Sequence, residues 1–183
     1  YAMPYHWHEE LELIHIVSGT FHVTINETTR TAAAGDILLV NSGGLHGGTP
    51  YDCVYECLVF PVGLLFSQTF DSDFLKRLDR QDLILDEYFP AGEDTAIPSL
   101  LKRLFALMQN SEEGGKLQCL GLLYQLMGLL CLNKRYTVSD KSDLSSHRNL
   151  YLLKNVLNYI DAHYTEKITL NELARAAGMS PKY

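Results

Sequence analysis

Between Leu11 and Phe60 the chain consists of short β-prone runs separated by turn chemistry, with nothing helical between them, and this restricts its first part to a barrel or sandwich. The runs are Leu11 to Val17, Thr20 to Ile25, Asp36 to Val40 and Val54 to Phe60. Gly19 is expected to break the first pair, Asn26 to Thr29 to supply a polar turn, and Gly35-Asp36 to form a tight bend. Within the second run Phe21, Val23 and Ile25 alternate with Thr20, His22 and Thr24, so the apolar set shares one face. The expectation is an antiparallel β-barrel.

After about Pro61 the period changes. Leu100, Leu101, Leu104, Phe105 and Met108 recur at helical spacing, as do Leu120, Leu123, Leu126, Met127 and Leu130, which predicts two amphipathic helices. Gly114-Gly115 is expected to form the turn of an antiparallel helix pair. The polar, Ser/Asp-rich stretch Tyr136 to Ser146 reads as a linker. Helical spacing returns at Leu152, Leu153, Val156, Leu157 and Ile160, where a third helix opens a new unit.

With 183 residues the chain can bury one substantial core and a small appendage. Its 15 basic and 22 acidic side chains give a net charge of -7, so a role on nucleic acid must come from a local element. The four cysteines form no C-x-x-C pair; Cys53 and Cys57 read as same-face buried residues, and reduced thiols fit a cytoplasmic protein. No stretch reaches the roughly 18 consecutive apolar residues of a membrane span, no basic-then-apolar leader opens the chain, and Cys119 to Leu132 reads as a buried helix. Opening at Tyr1 rather than Met leaves room for an upstream segment.

The most informative side chains are His6, His8 and Glu12, whose spacing along an extended segment puts all three on one face. His46, arriving from another strand, would complete three imidazoles and a carboxylate, a set able to hold Zn, Fe, Mn or Ni or to line a polar pocket without metal. His15 and His22 lie outside this pattern and read as ordinary strand residues. The run His6-x-His8-x3-Glu12-x6-Gly19 resembles the first cupin motif, and Gly35-x5-Asn41-x-Gly43-x2-His46 most of the second. Asn41 stands where that motif has proline, and Pro50 where it has its final asparagine. This resemblance implies a cupin fold with all four ligand positions kept; it does not assign chemistry, because cupins include enzymes, sugar binders and regulators.

Near the C-terminus Thr169 is a helix N-cap with Glu172 as its capping-box partner, Gly178 is suited to a left-handed turn, and Ser180-Pro181 opens another helix. Ile168 to Tyr183 thus resembles the first helix-turn-helix of AraC/XylS-type transcription regulators, matching at Ile168, Thr169, Leu170, Glu172, Leu173, Ala174, Gly178, Met179, Ser180, Pro181 and Tyr183. The order of parts resembles the same family: a cupin-like effector domain, a helical dimerisation segment, a linker and a DNA reader.

The resemblance implies a mainly β plus α chain: a cupin-like antiparallel β-barrel over residues 1–95, a helical coupling and dimerisation segment over 96–136, a linker over 137–147, and the start of a helix-turn-helix domain over 148–183, broken off early in its recognition helix. It implies a cytoplasmic, ligand-responsive, homodimeric regulator and not an enzyme. A small-molecule effector, a sugar or related metabolite, would bind at His6, His8, Glu12 and His46, where a divalent metal is an alternative occupant. Leu123, Met127 and Leu130 would cross the two-fold axis or cover their own barrel. Arg175, Ser180, Pro181, Lys182 and Tyr183 would begin the DNA-reading surface, too little of it for tight operator binding by this chain alone, and no membrane role is expected. The competing reading is a metal-dependent cupin enzyme of the sugar isomerase or dioxygenase type, which leaves the capped C-terminal helices unexplained.

Overall fold

The computed structural model describes residues 2–67, 71–93, 96–109, 112–139 and 144–180, which form two compact units divided between Ser139 and Asp140. In the first unit, strands β1 (Met3–His6), β2 (Leu11–Ile25), β4 (Ile37–Val40), β5 (His46–Phe60) and β7 (Tyr88–Phe89) form an antiparallel sheet in the order β1-β5-β2-β4-β7. Strand β3 (Thr28–Ala33) pairs with the far half of β2. The fold is cupin-like and antiparallel as expected, but among the described residues the pairing path is open: β1 and β7 end it without pairing to each other.

Alternation along the strands sends side chains to two separate cores. Ile14, Ile16, Phe21, Val23, Ile25, Ala32, Leu38 and Val40 fill the inside of the curled sheet. Leu11, Leu13, Ile37, Leu39 and Phe60 face outward and are covered by helices α1 (Asp73–Asp79), α2 (Ala96–Met108) and α3 (Glu113–Leu132). Strand β4, Ile-Leu-Leu-Val, is therefore buried on both faces, which explains its unbroken apolar sequence. Strands β6 (Leu83–Leu85) and β8 (Tyr136–Val138) form a second, two-stranded sheet.

The structure departs from the sequence reading at three places. Gly19 does not end a strand; β2 runs through it, with register shifts between Ile16 and Thr20. Its φ of +73° and the backbone of Tyr51 and Asp52 packed where a Cβ would stand show why glycine is needed there. Gly114 and Gly115 lie in the first turn of α3 rather than between the helices, whose boundary falls just before Glu113. The region read as a linker over 137–147 contains most of β8 and the first residues of helix α4 (Leu144–His163). A three-residue exposed strand carries too little periodicity to register in a polar stretch. Of the two roles left open for Leu123, Met127 and Leu130, the structure shows the cover of their own sheet: they are buried in the core at 4%, 3% and 0% exposure.

Helix α3 is long and apolar enough, by length and composition, to cross a membrane. Its residues Gly115, Leu122, Leu123, Leu126, Met127 and Leu130 are nevertheless buried in the outer core, as expected of a helix that covers a sheet. The second unit contains α4 and α5 (Leu170–Ala176), packed on each other. Thr169 and Glu172 form the expected reciprocal capping box. Gly178, at φ +63°, ends α5 while Met179 N–H donates to the Ala174 carbonyl at 2.8 Å.

Candidate functional site

Strand β1 lies beside β5 and places His6 opposite His46. His46 pairs with Ile25 at the far end of β2 from Glu12, so it is the curl of the sheet that carries the His46 ring back onto the Glu12 carboxylate. One ligand atom from each of His6, His8, Glu12 and His46 lies within 4.8 Å of the others. Glu12 Oε2 is 2.9 Å from His46 Nε2 and 3.1 Å from His8 Nε2. Glu12 and His46 are buried, His8 is half-buried and His6 is exposed, so the cluster runs from the interior to the rim.

The remaining ring nitrogens are pinned. His6 Nδ1 lies 2.9 Å from the Pro4 carbonyl, His8 Nδ1 3.1 Å from that of Glu10, and His46 Nδ1 2.9 Å from that of Gly44. A carbonyl can only accept, so each Nδ1 carries the proton and each Nε2 is left to face the cluster. The buried His46 Nε2 faces Glu12 outside straight hydrogen-bond geometry, leaving a direction unfilled. Three Nε2 atoms, each oriented by a backbone acceptor, together with one ionised carboxylate fit a divalent first-row cation.

Charge is arranged to keep the pair ionised. Burial would push the Glu12 carboxyl up, but interactions with His46, the Cys57 thiol and His8 outweigh it and hold the group at about 2. Burial would likewise lower the His46 imidazole, and the adjoining Glu12 carboxylate and Gly44 carbonyl raise it instead. The contribution of ionised Glu12 to stability is present above its ordinary 4.5 and is lost as pH falls toward about 2. That of protonated His46 is present below its ordinary 6.5 and is lost as pH rises through its raised folded value. Denaturant unfolding across pH should therefore show this pair stabilising most between about 4.5 and 6.5. Glu12→Gln should abolish the acid limb; an unchanged acid limb would contradict the assignment.

Side chains outside the cupin-like motif also border the site. Paired residues on neighbouring strands point to the same side, so Cys57 and Val59, opposite Ile14 and Glu12, face the sheet interior. Both are exposed, Val59 at 48%, and so they mark the mouth beside Glu12. Cys57 is thus not the buried residue its spacing suggests, although desolvation and contact with Glu12 raise its thiol pKa. Two-residue alternation gave the right face for Cys57, but an open mouth cannot be read from sequence. The loop delivering His46 is tied to the His8 segment by Gly43 N–H to the His8 carbonyl at 2.8 Å and Ser42 Oγ to the Glu9 carbonyl at 2.6 Å. His15 lies outside the cluster, 3.3 Å from Glu56 and against Phe105, and His22 pairs with Thr31. In the second unit Arg175 and Ser180 are exposed, while Pro181, Lys182 and Tyr183 lie outside the described residues.

The open antiparallel sheet with a histidine-carboxylate cluster at its mouth is a cupin-like domain. The AraC-like ligand binding domain family matches residues 1–127, and the chain belongs to that family. It is 30% identical over 185 residues to the uncharacterized HTH-type transcriptional regulator YdeC of Bacillus subtilis (strain 168), a match spanning 97% of this chain and 62% of that protein. Among solved structures it is similar to the AraC-like transcriptional activator CuxR, at 15% identity and a TM-score of 0.47, over 95% of this chain and 58% of the other. It is also similar to ToxT from Vibrio cholerae strain SCE256, solved with unsaturated fatty acid bound, at 13% identity and a TM-score of 0.45, over 98% and 82% of the two chains.

Proposed function

We propose that this chain is the effector-sensing and dimerising region of a cytoplasmic, DNA-binding transcription regulator, and that it is not an enzyme. The observation that carries this reading is the buried Glu12–His46 pair at an open sheet mouth, in a chain whose first 127 residues match a ligand-binding family of regulators. The effector is a small oxygen-rich molecule, a sugar or related metabolite. Its hydroxyl groups would donate to Glu12 and hydrogen-bond with the Nε2 atoms of His8 and His46, and its carbon face would pass Val59 and Tyr55. His6, His8, Glu12 and His46 could alternatively hold a divalent cation, which would supply a Lewis-acidic centre for the same kind of oxygen ligand. In the second unit, the capped α5 and the Gly178 turn resemble the opening of a helix-turn-helix. Arg175, Ser180, Pro181, Lys182 and Tyr183 would supply the first contacts to DNA.

The experiment is a thermal-shift panel of monosaccharides and sugar acids, with and without Zn2+ or Ni2+, on the wild-type chain and His46→Ala. Ligand at about 100 times its Kd adds about 2.7 kcal/mol, or roughly 5–10 °C for a chain of this size. At least one compound is expected to shift the wild type and not the variant; no shift in the wild type would refute the effector reading. The complete donor set also favours a second reading, a metal-dependent enzyme, which would be supported by stoichiometric Fe, Mn or Ni after purification together with turnover.

For the dimer, the face of α3 turned away from the core carries Leu117 and Leu132, 65% and 78% exposed, together with Gly121, Gln125 and Gly128 and no charged residue. The two glycines have open space where a Cβ would stand, so packing within their own chain does not require them. We assign the two-fold contact to this face. Light scattering at tens of micromolar should give a dimer for the wild type and a monomer for Leu117→Lys/Leu132→Lys; a dimer that survives both changes would move the contact elsewhere.

A further inference from the structure

The cupin-like motif departs from its pattern at Asn41, and that residue makes contacts a proline could not. Asn41 follows β4, opens the loop that delivers His46, and is 9% exposed. Its side-chain amide acts as a short piece of strand: Oδ1 accepts the Leu85 N–H at 2.8 Å and Nδ2 donates to the Leu85 carbonyl at 3.0 Å, both buried. Leu85 lies in β6 and pairs with Tyr136 of β8. The β6–β8 ladder is extended at both ends, by Asp86 N–H to the Arg135 carbonyl at 3.0 Å and Ser139 N–H to the Asp82 carbonyl at 2.9 Å. Ser139 is the last residue of the first unit.

On its other side Asn41 is joined to the cluster. His46 Nδ1–H donates to the Gly44 carbonyl at 2.9 Å, and Gly44 N–H donates to the Asn41 carbonyl at 2.8 Å. An unbroken hydrogen-bonded line thus runs from the His46 ring through Gly44 and Asn41 to Leu85 and on to the strand from which the chain enters its second unit. We propose that Asn41 is the positioning residue through which the state of the histidine cluster is transmitted to β8. A ligand that moves the His46 ring changes the hold on Gly44, shifts the loop, and alters how firmly Asn41 clamps β6. Buried amides without partners are costly, so the clamp has two distinct conditions, engaged or released. The biological meaning of this route rests on the effector reading of the cluster.

The test is a double-mutant cycle read by amide hydrogen exchange on the full chain, in wild type, His46→Ala, Asn41→Ala and the double variant. No effector is used, so failure here is distinct from failure of the thermal-shift panel. His46→Ala should speed exchange over residues 83–85 and 136–138 by about tenfold when Asn41 is present, the scale of measured coupling energies. In the Asn41→Ala background the same change should add less than about twofold. A merely structural role for Asn41 would give equal, independent accelerations. That result, or an His46→Ala variant whose β6 and β8 exchange at the wild-type rate, would overturn the proposal. If His46→Ala does not fold, His46→Gln keeps most of the volume and replaces it in the cycle with the same expected outcomes.

Discussion

Glu12→Ala is expected to lower the stability of the first unit by about 3 kcal/mol near pH 6, because it leaves the buried His46 without its partner. The loss has two sources. The ionised Glu12 is held at about 2, below its ordinary 4.5, because His46, the Cys57 thiol and His8 outweigh the cost of burial, so its charged form favours the fold. Removing the carboxylate also takes away the partner of the Cys57 thiol and the oxygen that lies 3.1 Å from His8 Nε2. Above neutral pH His46 can shed its proton and recover part of the loss, so the difference between wild type and variant should shrink on the alkaline side. Denaturant unfolding at pH 6 and pH 9 checks both statements; a loss under 1 kcal/mol at pH 6 would show that the pair is solvated.

Gly19→Ala should be the more damaging change, lowering the melting temperature by about 10 °C or preventing folding. A methyl group there would sit 2.1 Å from the Asp52 carbonyl oxygen and 2.7 Å from that of Tyr51, both backbone atoms that no rotamer change can move. The φ of +73° adds strain for any residue with a Cβ. Relief requires the bend of β5 at Tyr51–Asp52 to shift against β2, at an estimated cost of about 4 kcal/mol, and for a chain of this length each kcal/mol moves the midpoint by about 2–4 °C. Gly92→Ala is the control, since its Cβ would meet nothing within 4 Å and its φ is not positive. A melting temperature for Gly19→Ala equal to that of the control would show that the two strands do not approach as described.

Sequence spacing recovered what depends on local periodicity and residue type. Phe21, Val23 and Ile25 do share an interior face, and Thr169 with Glu172 does cap a helix. The four residues His6, His8, Glu12 and His46 do converge, since the motif fixes their chemistry and spacing together. What could not be read depends on distant backbone. Gly19 looks like a strand end because a glycine at a bulge and one at a turn are alike in sequence; the difference lies in Tyr51 and Asp52 packed against it. Leu123, Met127 and Leu130 mark one face of a helix, but periodicity does not say whether that face meets its own sheet or another chain. Asn41 was visible only as a missing proline, because its partner Leu85 lies far along the sequence in a strand too short to be predicted.

The pinned orientation of the three imidazoles has one more consequence. With Nδ1 of His46 bonded to Gly44 and its affinity for protons raised beside Glu12, an occupant that takes Nε2 of the protonated ring expels a hydrogen ion into solution. Calorimetric titration of such an occupant should then give heats that vary with the ionisation enthalpy of the buffer, and its affinity should weaken as the medium is acidified.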